Sequence, residues 1–259
     1  MGRKRRAFVD YSKYVRRDYC KVVRLMKEIA REKRMTMSSI GEVNRHEERC
    51  LIYKLQTAQP GKCGFAVFLG AGIHGDEYEG VFSVLELLRK EKNLLGMFDL
   101  TAIPLMNPFA YIEGRRCLEK NMNRELKRRK SAPELAKILM SAIPPSDLVI
   151  DVHSSDEDDG FCCFETRRRR KSLGKKVVVN MKKRGYKIDT NTEGKRNLGG
   201  VLKTVKNQGS VEEFGFRRGA DWSLTLEVSS NCSSINERIE EGTVALGVCL
   251  EEFLRLKRR

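Results

Sequence analysis

Apolar residues recur along this chain with two alternating periods. Val15, Tyr19, Val22, Met26 and Ile29 fall three and four apart, which lays one stripe along a helix and predicts an amphipathic helix over 11–33. A strand is expected near Cys50 to Leu55, and the short apolar run FAVFLGAG predicts a buried strand ending at Gly70. Helical spacing returns over 78–91 through Val81, Val84, Leu85 and Leu88. FDLTAIPLMNP (98–108) reads as the next strand, stopped by Pro108. SAPELAKILMSAI predicts a short helix, DLVIDV a central strand, KKVVVNMKKRG a helix or a strand, and SLTLEV another central strand. Ser234 and Glu237 have capping-box spacing ahead of a last helix whose apolar face runs through Ile239, Leu246, Leu250, Phe253 and Leu254.

This alternation predicts an α/β fold: a mixed, mostly parallel central sheet with helices on both faces. At 259 residues the chain can bury one core of ordinary size, so a single domain over 1–259 is expected, with a flexible basic N-terminus over 1–10. No apolar stretch reaches the length of a membrane span, and the basic start has no apolar segment behind it, so a cytoplasmic protein without a membrane partner is expected. The cysteines at 20, 50, 63, 117, 162, 163, 232 and 249 form no C-x-x-C pair, which argues against a zinc ribbon or a thioredoxin-like site.

Charge adds a second theme. Lys plus Arg number 51 against 35 Asp plus Glu, a net +16, which favours polyanions and acidic ligands alike. The densest runs, Arg3 to Arg6, Arg167 to Lys171 and Lys257 to Arg259, lack interleaved aromatics for base stacking. Nucleic-acid binding is therefore expected only through non-specific basic charge.

Candidate chemistry gathers at the strand ends. AGIHGDEYEG carries His74 and Glu77 three residues apart, LVIDVHSS carries His153, and LTLEVSS carries Glu227. In an open α/β sheet ligands collect at the carboxyl ends of strands, where all of these fall. Two histidines and one carboxylate form a known ligand set for catalytic zinc, which keeps a further position open for water. With no H-E-x-x-H helix, such a site must be assembled from separate loops. Glu227, inside an otherwise apolar strand, needs a partner to offset its burial. His46, in NRHEERC, is read as a solvent-facing histidine.

Between these segments MNPFAYIEGRRCLEKNMNREL (106–126) opens on an Asn-Pro turn and carries Arg116 seven residues before Asn123. With that segment the chain resembles the zinc carboxypeptidase superfamily, including the carboxypeptidase A-like enzymes and the succinylglutamate desuccinylase/aspartoacylase branch. The motifs run in the family's order from residue 66 to about 230: a His-x-x-Glu after a strand, an Asn-Pro turn before an arginine and a D-L-N-R-like motif, a lone histidine ending a strand, and a glutamate ending the last strand before a terminal helix. The resemblance implies a phosphorylase/hydrolase-like fold and one Zn2+ per chain, held by His74, Glu77 and His153. It also implies that Glu227 is the general base and acid, that Arg116 stabilises the oxyanion, and that Asn123 and Arg124 grip a substrate carboxylate.

The implied substrate is a peptide or an N-acyl amino acid with a free carboxylate. Desuccinylase and aspartoacylase relatives carry a further β-rich domain, whereas 32 residues follow Glu227, which favours a metallocarboxypeptidase-like hydrolase. The alternatives are N-acyl amino acid deacylation and polyanion binding on an inactive scaffold. Two departures stand out. Asn121 occupies a position that is usually acidic. No tyrosine stands where the carboxypeptidases cap their substrate, with Thr204 near that place and Tyr186 the nearest tyrosine upstream. Glu212 and Glu213 lie where the side-chain pocket forms, which implies an acidic pocket. Asp151 is placed either on the far side of its strand or behind His153 as a support.

Overall fold

The computed structural model describes residues 10–11, 17–45, 47–59, 61–62, 64–91, 93, 96–127, 131–155, 159–191, 197, 199–204, 207–229 and 234–258. Arg3 to Arg6, Val15, His46, Cys63, Cys232 and Arg259 lie outside them. The first helix, α1 (Tyr19–Lys33), is shorter than the 11–33 expected. Asp18 stops it at the front: its carboxylate accepts from the Lys21 amide at 3.0 Å, and a capping residue keeps an extended backbone.

Two antiparallel strands follow, β1 (Met35–Arg45) and β2 (Glu48–Thr57). β1 escaped the sequence reading because MTMSSIGEVNR lies at the sheet edge with no fully buried residue, so it shows no apolar run. Then come β3 (Phe65–Ala71), α2 (Tyr78–Lys90) and β4 (Phe98–Ile103). β4 ends five residues before Pro108, which opens α3 (Pro108–Glu113) instead of stopping the strand. A proline at the first helical position has no amide to leave unpaired there.

A single 3-10 turn (Met122–Arg124) precedes α4 (Glu134–Ala142), β5 (Leu148–Ser155) and β6 (Cys162–Arg167). KKVVVNMKKRG resolves as helix α5 (Leu173–Lys183), capped by Ser172. Short β7 (Val201–Lys203), α6 (Val211–Arg217), β8 (Trp222–Ser229) and the long α7 (Ile235–Lys257) complete the chain. The Ser234 hydroxyl accepts from the Glu237 amide at 3.2 Å, the cap expected from the sequence.

The eight strands form one mixed sheet in the order β1-β2-β4-β3-β5-β8-β6-β7. β4, β3, β5 and β8 run parallel at its centre. Successive strand residues face opposite sides, so each central strand splits its sequence between two layers. Leu148, Ile150 and Val152 of β5, with Leu224, Leu226 and Val228 of β8, join the larger core under α1, α2, α5 and α7. The opposite face carries Val149, Asp151 and His153, then Ser223, Thr225 and Glu227, covered by a smaller core under α4 and α6. Polar residues are thus gathered on one face of apolar strands.

The chain order reverses at β3: one crossover leads to β4 on one side, the next to β5 on the other. At such a switch point the loops leaving neighbouring strands diverge and open a crevice at their carboxyl ends. No helix among the described residues is long and apolar enough to cross a membrane.

Candidate active site

The loop after β3 brings His74 and Glu77 into that crevice. It turns at Gly72 with φ +65°, a left-handed conformation, and Gly75 passes so close to α3 that a Cβ there would stand 1.9 Å from the Ala110 carbonyl carbon. Asn107 fixes the same loop: its Nδ2 donates to the Ile73 carbonyl at 3.3 Å while its Oδ1 caps α3 at the Ala110 amide. Glu77 sits at the start of α2, yet its carboxylate makes no cap and turns to the histidines.

Glu77 Oε1 lies 2.8 Å from His74 Nδ1, and Oε2 lies 2.6 Å from His153 Nδ1. The ligand atoms of His74, Glu77 and His153 all lie within 4.8 Å of one another, and the three side chains are buried. Donors placed about 2 Å from one tetrahedral ion stand roughly 3.4 Å apart, so this trio fits a single metal with little adjustment. The other ring nitrogens face outward supports: His74 Nε2 is 3.0 Å from Asn121 Oδ1, and His153 Nε2 is 2.7 Å from Asp151 Oδ2. Acceptors at Nε2 hold the proton there and leave Nδ1 for a metal.

The electrostatics match that arrangement. Burial alone would raise the Glu77 carboxyl, but the two imidazoles hold it well below the usual carboxylate range. Burial alone would lower His153, yet Asp151 and Glu77 on either side raise it well above an ordinary histidine. Asp151, 0 % exposed, is the support behind His153 that one of its two sequence readings gave.

Glu227 completes the rim. It pairs in register with His153 across the parallel β5–β8 ladder and with Cys162 across the antiparallel β8–β6 ladder. Paired residues share a face, so His153, Glu227 and Cys162 form one row over three strands. Arg116 donates to Glu77 Oε1 at 2.5 Å while its side chain remains 56 % exposed, and it lies close enough to Glu227 to feel its charge.

Asn123 and Arg124 part company. The Asn123 side chain is buried: Oδ1 accepts from the Val211 amide at 3.0 Å, and Nδ2 stands 3.4 Å from His153 Nε2. Arg124 is exposed, with one guanidinium nitrogen donating to the Asn123 carbonyl at 2.8 Å. The two expected pocket acids also differ. Glu213 accepts from the amides of Asn207 and Gly209, both at 2.6 Å, so it shapes the α6 entry. Glu212 is 3 % exposed, and its Oε2 has no hydrogen-bond partner. Burial, with the charge of Asp151 added, raises its carboxyl.

One support was missed in the sequence. Glu79 accepts from Arg238 at 2.9 Å and from the Ser154 hydroxyl at 3.1 Å, tying α2 and α7 to the residue after His153. Its signal was a second glutamate in the HGDEYEG run, on the face of α2 turned inward. Cys162 and Cys163 point to opposite faces of β6, and the latter's thiol is pushed well up by burial. Cys20, Cys50, Cys117, Cys162, Cys163 and Cys249 are not joined in disulfides among the described residues.

Residues 63–184 match the model of the succinylglutamate desuccinylase/aspartoacylase catalytic domain. No curated protein matches the sequence. Among solved structures, the chain is similar to a provisionally named metallopeptidase from Shewanella baltica OS155, at 17 % identity and TM-score 0.76 over 91 % of this chain and 92 % of that one. A metallo-carboxypeptidase from Burkholderia cenocepacia aligns at 17 % identity and TM-score 0.65, over 90 % of this chain and 68 % of its own. A succinylglutamate desuccinylase from Silicibacter sp. TM1040 aligns at 16 % identity and TM-score 0.56, over 85 % and 67 %. At such identities these likenesses establish a shared fold.

Proposed function

We propose that this chain is a member of the zinc carboxypeptidase-like superfamily, a reading its matched segment and its fold support, and that it hydrolyses an amide bond beside a substrate carboxylate, using one zinc held by His74, Glu77 and His153. The observation that carries the reading is the buried His74–Glu77–His153 trio with Glu227 in register beside it. When bound, the zinc would polarise the scissile carbonyl and make water at its open position a stronger acid. Glu227 takes the proton of the attacking water and passes it to the leaving amine. The Arg116 guanidinium, anchored on Glu77 and otherwise exposed, reaches the oxygen on which negative charge develops. Arg124 presents a planar fork to the substrate carboxylate. Asn123, with its amide engaged inside the protein, sets the backbone from which Arg124 projects.

A peptide carboxypeptidase-like activity is the main reading. N-acyl amino acid deacylation is the second, favoured by the match of 63–184 to the desuccinylase/aspartoacylase catalytic domain. The test measures zinc content of wild type and His74→Ala, with release of C-terminal residues from a peptide pool and of acyl groups from N-acyl amino acids. About one zinc per chain, lost in the variant together with release, is expected. Release from acyl amino acids alone selects the second reading, and a wild type that binds no metal overturns both.

A further inference from the structure

Residues 166–188 contain eleven Lys and Arg and no Asp or Glu. The fold turns this run into one surface. Helix α5 buries Leu173, Val177, Val178 and Met181 against the core. Its outer face exposes Lys175, Lys176, Val179, Lys182 and Lys183, which follow one another at helical spacing as a single stripe. Val179, 51 % exposed, stands between the two lysine pairs.

Few of these charges are neutralised. Arg167 pairs with Glu165, Arg169 with Asp221 and Lys187 with Asp159, while Arg168 stacks 4.5 Å over the Phe216 ring. Arg170, Lys171, Lys175, Lys176, Lys182, Lys183 and Arg184 have no ion-pair partner among the described residues. Four unpaired lysines on one helix face, with Arg170 and Lys171 just before the helix and Arg184 at its C-cap, repel one another, and an anionic partner relieves that repulsion.

We propose that this face binds the phosphate backbone of double-stranded DNA without sequence preference. A protein interface would carry an apolar or aromatic centre, and the stripe offers one valine. Insertion into a membrane surface needs a free apolar helix face, which α5 has already buried in the core. Single-stranded nucleic acid calls for aromatic platforms beneath the bases, and the stripe has none. The two lysine pairs stand seven residues apart, about 10 Å along the helix. That span approaches the roughly 12 Å major groove of B-form DNA, so the pairs can reach phosphates on both of its edges. The surface lies on the core side of the sheet opposite the polar face of the active site, so both can be occupied.

The experiment measures affinity for two labelled 24-base-pair DNA duplexes of unrelated sequence by fluorescence anisotropy across a salt series. The wild type is compared with the quadruple change Lys175→Glu, Lys176→Glu, Lys182→Glu and Lys183→Glu. A charge-matched control carries Lys21→Glu, Arg24→Glu, Lys27→Glu and Arg31→Glu on the exposed face of α1. The wild type is expected to bind both duplexes equally, and the α5 variant to lose at least about tenfold in affinity and roughly three to four in salt slope. The α1 control should lose far less. A quadruple Lys→Gln version, which removes charge without reversing it, must move the same way. Equal losses in both variants, unchanged binding in the α5 variant, or preference for single strands, duplex RNA or phosphatidylserine vesicles would overturn the assignment.

Discussion

Asn121 Oδ1 lies 3.0 Å from His74 Nε2 and accepts the Asn123 amide at the same distance, so one oxygen joins His74, a proposed zinc ligand, to the loop that carries Arg124. A neutral amide in this place leaves the His74 imidazole a weaker donor than His153, which has the carboxylate of Asp151 behind it. Asn121→Asp should therefore tighten zinc binding by about tenfold, and Asn121→Ala should weaken it by roughly ten- to a hundredfold. Competition against a chelating dye reads both. Equal affinity in all three proteins would mean that the amide does not tune the ligand.

Glu227→Gln separates proton transfer from metal binding. Glu227 is outside the buried trio, so zinc content should stay at about one per chain while kcat falls by roughly a hundred- to ten-thousandfold. Single-turnover kinetics on the best substrate, with metal analysis of the same samples, gives the answer. A variant that loses zinc together with activity would make Glu227 a ligand rather than a base.

The two arginines should divide their effects. Arg116 rests on Glu77 beside the proposed reacting centre, so Arg116→Ala should lower kcat by about a hundredfold or more. Arg124 is exposed on its loop, so Arg124→Ala should raise KM for substrates with a free carboxylate and leave the amidated analogue unaffected. Steady-state kinetics on the matched pair of substrates distinguishes the roles, and an equal loss on both substrates would remove Arg124 from carboxylate recognition.

Much of this site was legible because its chemistry rides on strands whose alternation is plain. In LVIDVHSS the apolar residues Leu148, Ile150 and Val152 alternate, which marks the strand that carries His153; the fold then sets Asp151 on the same face as His153, one of the two places the sequence left open to it, and the register brings Glu227 beside them. What stayed hidden was set by tertiary pairing. β1 is too polar to announce itself, and α3 and α6 are too short for a period of 3.6 to show. Pro108 looked like the end of a strand, although its missing amide suits the first turn of a helix equally well. The Asn121 contact depends on a turn folding back over a loop 47 residues earlier, which no local pattern encodes.

The remaining prediction concerns stability and lies just beyond the site, where α7 passes behind the end of β8. Glu241 is 2 % exposed, and burial pushes its carboxyl from 4.5 up to about 7, with only the Ser229 amide, 3.3 Å from Oε2, favouring the charged form. Because the folded pKa is the higher one, between about pH 4.5 and 7 the folded protein keeps a proton that the unfolded chain releases. Stability therefore falls as pH rises through that window and levels off above it, by an amount on the order of 3 kcal/mol for this one group. Glu241→Gln keeps an acceptor for the Ser229 amide and abolishes the titration. Urea unfolding should find the variant about as stable as wild type at pH 5 and more stable by about 2–3 kcal/mol at pH 8. If the difference between the two proteins is the same at both pH values, Glu241 is ionised in the fold throughout, and a partner for its charge must be sought between β8 and α7.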